Sequence, residues 1–352
     1  MNRIAQPLVL TIAVLAAAIV SAARVRAQED PTLDAKRRVF PDAGAGFRTI
    51  RRGPDGAYYV LTSLPPGAPS NKPSRRSKLA TPSVPVILIF DGKGTKLRQI
   101  PAQPRRGELV SPDALDIDTS GRIYVADPAG NTVSIYAADG TLFAHLTIPE
   151  TTQIVALPGD QFAVCRANAD HLISVYDLHG KLLHEFGELA DLSDDADLNL
   201  QLNAGHLAKD KAGILYFAFR YLPEPTVRKY DSISGLLLDE LSLTTLDLAP
   251  MAQSARQEIA RAASGQPVHP HEIISGFGVD PDTQEFWLAL GNLLMRFDNA
   301  DNRMVGNRAY SADGARMVPN SILVETDRLL LGNDPLGIYE FPRSSGSIRR
   351  AE

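Results

Sequence analysis

Cysteine is almost absent from this chain: Cys165 is the only one in 352 residues, so no disulfide can form within it. That excludes a small disulfide-stapled fold and leaves burial to hold the structure, which a chain of this length can supply. Cys165 itself falls in an alternating apolar stretch, where a packing role is expected. Also missing are G-x-S-x-G, G-x-x-x-x-G-K-[ST], H-E-x-x-H, C-x-x-C and the glycine fingerprint of dinucleotide sites, which argues against nucleotide-driven and thiol chemistry. There is no surplus of positive charge, the formal net being −5, so a nucleic-acid partner is not expected.

Long apolar runs are missing too, with one exception. Residues 8–23 are uncharged and apolar, follow Arg3, and precede Val25-Arg26-Ala27. The run is shorter than the roughly 20 residues of a membrane-spanning helix, and the small flanking residues suit signal peptidase. Residues 1–27 are therefore expected to be a signal peptide, with the mature chain starting at Gln28. No cysteine lies near that site to carry a lipid. Cleavage removes Arg3, Arg24 and Arg26 and no acid, taking the formal charge from −5 to −8. The expectation is an exported protein, periplasmic or extracellular, without a transmembrane segment after cleavage.

What the chain does contain is a repeat. In "ALDIDTSGRIYVADPAGNTVSIYAADGTL", from Ala114, apolar alternation at period two is broken by the small-residue turns Thr119-Ser120-Gly121 and Asp139-Gly140, the pattern of antiparallel strands. An inner turn followed by a strand recurs at Gly53-Pro54-Asp55-Gly56, Pro158-Gly159 and Asp210-Lys211-Ala212-Gly213, and more loosely at Asp280 and Glu325. A third strand recurs as "VILIFDGKG", "VSIYAADG", "ISVYDLHG", "VRKYDSISG", "LLMRFDNAD" and "GIYEF", which makes six units. The reading is all-β: a six-bladed β-propeller of four-stranded antiparallel blades, with one short helical insertion.

In the second unit, Tyr124-Val125-Ala126-Asp127 and Asn131-Thr132-Val133 form a strand, Asp, loop, Asn, strand pattern. It resembles NHL-repeat and TolB-like six-bladed propellers, over about residues 47 to 342. Asp127 and Asn131 read most simply as caps of a short loop. Residues 28–46 form an N-terminal segment and 343–352 a C-terminal tail. The last blade needs a fourth strand, since an open edge invites pairing with other chains; residues 37–40 and 347–350 are both candidates.

Strand parity predicts where function lies. First-to-second and third-to-fourth turns fall on one face of an up-and-down propeller, and all of those here are tight. The long segments, 62–84, 187–205 and 243–272, all fall on the other. One-sided insertions on a rigid scaffold mark a binding face. The first is Pro-rich and basic, with Lys72, Arg75, Arg76 and Lys78, and reads as a solvated loop; the second is acidic but lacks the spacing of a calcium loop. In the third, "APMAQSARQEIARAASG" reads as an amphipathic helix with Met251, Ala255 and Ile259 on one stripe, lying over the face as a partial lid or simply packed on it.

Residues leading into the innermost strands on that face should point toward the axis. These are Asp113, Gln153, Asn203, His206 and Asn320, expected to bind a ligand, together with His269, His271 and Glu272. "HPHE" carries imidazole and carboxylate two residues apart, which suits Zn or Ca as a divalent metal, although two loop histidines are commonly just loop residues. Known enzymes on propellers of the kind this chain resembles include gluconolactonase-like metal hydrolases and peptidylglycine-amidating lyases, in which an axial divalent ion polarises a carbonyl or activates water. The carboxylate that a lactonase-like site wants at the first blade is replaced by Gly44-Ala45-Gly46-Phe47. The reading is a binding module without chemistry, taking an unknown protein or small-molecule ligand and no cofactor; the alternative is a metal-dependent hydrolase or lyase.

Overall fold

The repeat folds because its turns are fixed by local chemistry. In blade 2, Asp118 Oδ1 accepts from the backbone N–H of Ser120 (2.8 Å) and of Arg122 (2.9 Å). Gly121 takes φ 84°, a region that side chains disfavour, and a Cβ there would lie 3.1 Å from that of Ala138. The same Asp-led turn recurs at Asp91, Asp177 and Asp210. Between turns, Ile123–Asp127 is buried throughout and Thr132–Tyr136 nearly so, whereas the outer strand Leu142–Thr147 is largely exposed. Sheets covered on both faces read as continuous apolar runs, and these middle strands do.

The computed structural model describes residues 32–43, 46–64, 83–103, 108–267, 269–298 and 303–343. Six antiparallel sheets follow one another along the chain. Their first strands are Thr49–Arg52, Ala114–Ile117, Thr151–Leu157, Gly205–Lys209, Gly276–Val279 and Ser321–Val324. Each touches the first strand of the next blade, and the sixth touches the first, so the ring is closed about an axis.

The last blade takes its fourth strand from the N-terminal side. Arg37–Val39 runs antiparallel to Gly337–Pro342 in the register Arg37 to Glu340, and the Phe40 ring then packs, tilted, against those of Tyr58 (5.1 Å) and Phe90 (4.8 Å) of blade 1. The alternative, 347–350, lies outside the described residues. Just before it, Thr32–Asp34 adds a parallel strand to the outer edge of blade 5, which becomes five-stranded rather than four.

Apolar packing forms six clusters, one at each blade-to-blade junction. Gly205 shows how tightly these fit: a Cβ there would sit 2.3 Å from the Phe217 ring. The core is therefore a set of radial wedges, and the axis is left to polar side chains.

Among the described residues two α-helices interrupt the blades, where one helical insertion was expected. Helix α1, Ala196–Leu202, lies in the acidic insertion, with Asp195 capping it by accepting from Leu198 N at 3.1 Å. Its leucines alternate as 198, 200 and 202, a strand-like period that hides the helix. Helix α2, Ala249–Ala263, is the amphipathic segment. It packs into the junction of blades 4 and 5 through Ala255 beside Leu248, Ile273 and Phe277, so it takes the packing role rather than covering the axis. Of the first insertion, 65–82 lie outside the described residues, as do residues 1–27, expected to be a signal peptide, and 344–352 of the expected tail.

Candidate functional site

Polar side chains from every blade meet at the axis on the insertion-bearing face. They surround a cavity of about 280 Å³: Arg48 and Arg51 from blade 1, Asp113 before blade 2, Gln153 from blade 3, His206 and Arg220 from blade 4, Glu272 before blade 5 and Asn320 before blade 6. Four of the five expected ligand residues, Asp113, Gln153, His206 and Asn320, are thus brought together. Asn203 is not. It ends helix α1, where Nδ2 donates to Ala190 O (2.9 Å) and Asn199 O (2.8 Å) and Oδ1 accepts from Ala190 N (2.7 Å).

The three residues expected to hold a metal are also separated. Glu272 lines the cavity, but His271 is exposed and its Nδ1 meets Glu258 of helix α2 at 3.0 Å, and His269 is exposed as well. Among the described residues, no three or more of His, Cys, Asp and Glu cluster as a metal site would require.

The histidine in the cavity has a defined tautomer. His206 Nε2 lies 3.1 Å from the carbonyl oxygen of Ile274; only a protonated nitrogen can donate there, so Nε2 carries the hydrogen and Nδ1 keeps its lone pair in the neutral ring. Burial holds the imidazole well below its ordinary value of 6.5, with Arg220 and Arg51 acting the same way against the Ile274 bond. Asp113 moves upward, chiefly through burial and with help from Asp127, while Arg48 and Arg220 pull it back.

A pH dependence follows from these directions. A base whose folded value lies below its unfolded value binds its proton more readily when unfolded, so stability is lost as pH falls through about 6.5. Asp113 has the opposite sign: its ionised form is disfavoured in the fold, which favours the folded state as pH falls through its raised value. The melting temperature of the wild type is expected to drop between pH 7.5 and 5.5, and that of His206→Asn to drop less. Equal slopes would mean that His206 is not held neutral.

Three arginines went unpredicted, and they define the cavity electrostatically. The backbone N–H of Arg48 donates to Leu61 O (2.9 Å), but its side chain makes no hydrogen bond and no ion pair within 4 Å among the described residues. Arg51 donates only to Thr49 Oγ1 and Ile50 O, each at 2.9 Å. It is partly buried, and it lines the cavity. Arg220 approaches Glu272 at 3.6 Å, and its buried Nε has no partner.

A larger cavity, about 440 Å³, opens at the other end of the axis and shares Arg51 and Phe277 with the first. Apart from the shared Arg51, its charged residues are paired: Lys209 with Asp116 (2.8 Å), Lys211 with Asp282, Arg52 with Glu325 (2.9 Å) and Asp280 with Arg343 (2.6 Å). Pairing of this kind fixes blades to one another. The smaller cavity, with unmatched groups, is the better candidate site.

No protein-family model matches this chain, and no curated protein does. Solved structures do. A catalytically inactive virginiamycin B lyase from Staphylococcus aureus, determined with quinupristin, is 13% identical over 87% of each chain, with a TM-score of 0.50. Hydrazine synthase of Kuenenia stuttgartiensis is 10% identical over 92% of this chain and 100% of that one, at 0.51. A streptogramin B lyase is 12% identical over 85% of this chain and 94% of that one, at 0.50. Likeness at this identity establishes the fold alone: the chain is a six-bladed β-propeller. Activity has to be argued from the site.

Proposed function

We propose that this protein is an exported, NHL-like binding propeller that holds a small polar ligand in the axial cavity of its insertion-bearing face without chemistry of its own. One observation carries the reading. Side chains of all six blades converge on one cavity with hydrogen-bonding capacity left over, notably Arg220 Nε and Asn320 Oδ1, which are buried and without partners. Buried polar groups are almost always satisfied, so two such atoms at one cavity point to a ligand or ordered water.

Thermal shift followed by calorimetry on the mature protein tests this, using small anionic, neutral and cationic polar metabolites. At least one class is expected to raise the melting temperature, with binding lost in Asn320→Ala. A complete absence of binding across all three classes would overturn the proposal.

A metal-dependent hydrolase or lyase is the second reading, favoured by Asp113, His206 and Glu272 lining the same cavity. Metal content of protein purified without chelator separates the two. A stoichiometric Zn or Ca ion lost in a His206→Ala, Glu272→Ala double variant would replace the binding reading with the second.

A further inference from the structure

We infer that the ligand of the axial cavity carries a carboxylate, received by the guanidinium groups of Arg51 and Arg220. This rests on the ligand-binding reading above and narrows it to a chemical class. Three arginines and two carboxylates, Asp113 and Glu272, line the cavity, leaving a surplus of one positive charge. Arg51 has no carboxylate to itself. The carboxylate acting on it, Asp116, already accepts from Lys209 Nζ at 2.8 Å and from Ala156 N at 2.8 Å.

A cation held inside protein without a counter-ion is unfavourable unless something else supplies the charge. The open side of Arg51 faces the cavity, and so does the residue bearing the unpartnered Nε of Arg220. Guanidinium presents paired donors that match the two oxygens of a carboxylate. One negative charge balances the surplus. A phosphate dianion would exceed it beside Asp113 and Glu272. A cavity of about 280 Å³ admits a metabolite and not a chain segment.

Amide, hydroxyl and neutral imidazole groups complete the site. Asn320 Oδ1 and the unprotonated Nδ1 of His206 are acceptors, suited to a hydroxyl or amide hydrogen elsewhere on the same molecule. The fitting class is therefore a small monocarboxylate with a donor group, such as a hydroxy acid.

Calorimetry with lactate and glycolate, their amides, and inorganic phosphate is the test, on wild type, Arg51→Met and Arg220→Gln. The acids are expected to bind and the amides not, with affinity falling at least about tenfold in either variant and decreasing with added salt. Arg51→Met is expected to melt no lower than wild type when ligand-free, because an uncompensated cation has been removed; Arg220→Gln keeps the test alive if Arg51→Met fails to fold. Amides binding as well as acids, or phosphate binding in preference, would overturn the carboxylate assignment and leave the binding reading standing. No binding by any polar class would overturn both.

Discussion

Phe217→Asp is expected to abolish folding, and Leu215→Asp to do the same. Phe217 lies in Ile214–Phe219, the second strand of blade 4, and is 1% exposed, while Leu215 is fully buried. Both belong to the wedge between blades 3 and 4, with Val155, Ala163, Leu172 and Leu207. The Phe217 ring meets Phe219 edge-on at 4.8 Å and occupies the space that Gly205 leaves open.

Truncating such a ring to alanine costs about 3–5 kcal/mol. An unpaired buried carboxylate adds a further penalty of several kcal/mol unless it is protonated. Since single domains are stable by only about 5–15 kcal/mol, the two effects together exhaust most or all of it. Far-ultraviolet circular dichroism and soluble yield give the readout. Leu246→Asp is the control, at a position 93% exposed, and is expected to change neither. A Phe217→Asp protein that folds cooperatively would show that this wedge does not hold the ring together.

Blade 4 was legible because its signals are local. An Asp whose side chain accepts a backbone N–H across the turn and a Gly at positive φ are demands of the turn itself, so Asp210-Lys211-Ala212-Gly213 marks the hairpin wherever it occurs. Counting strands from such turns also indicated which residues lead toward the axis, and Asp113, Gln153, His206 and Asn320 among them line the cavity. It failed for Asn203 because helix α1 intervenes and uses that amide to end itself.

The arginines were invisible for a different reason. "TIRR" reads as a strand turning its charged residues to water, and only the closed ring makes the water side of Arg51 a channel. Arg220 directly follows the buried run ending at Phe219, a position where a charge is unusual and could have served as a signal. The short strands Thr32–Asp34 and Arg37–Val39 carry too few residues for a period to show; their partners lie some 300 positions away in the chain.

Ring closure itself predicts the second large effect. Glu325, 4% exposed in its side chain, joins the last blade to the first: it accepts from Tyr58 Oη (2.8 Å) and Arg52 (2.9 Å) of blade 1 and from Arg328 (2.6 Å) within blade 6. Arg328 continues to Glu340 at 3.2 Å, and Glu340 to Arg37 of the closing strand at 2.9 Å. A carboxylate with three donors is stabilising mainly because its loss leaves them unmatched. Glu325→Ala takes the acceptor from Arg52 and the Tyr58 hydroxyl and leaves Arg328 with Glu340 as its only carboxylate, which puts the expected cost at about 3–5 kcal/mol. Arg52 is half-exposed and can return to water, which favours the lower end of that range. Glu325→Gln keeps the shape and one acceptor and should cost less. Hydrogen exchange locates the damage. Faster exchange is expected at Arg37–Val39 and Gly337–Pro342, with Ile123–Asp127 of blade 2 unchanged. Uniform acceleration in every blade would instead mean that the ring opens as a single unit, and that this network is no weaker a joint than the five apolar wedges beyond it.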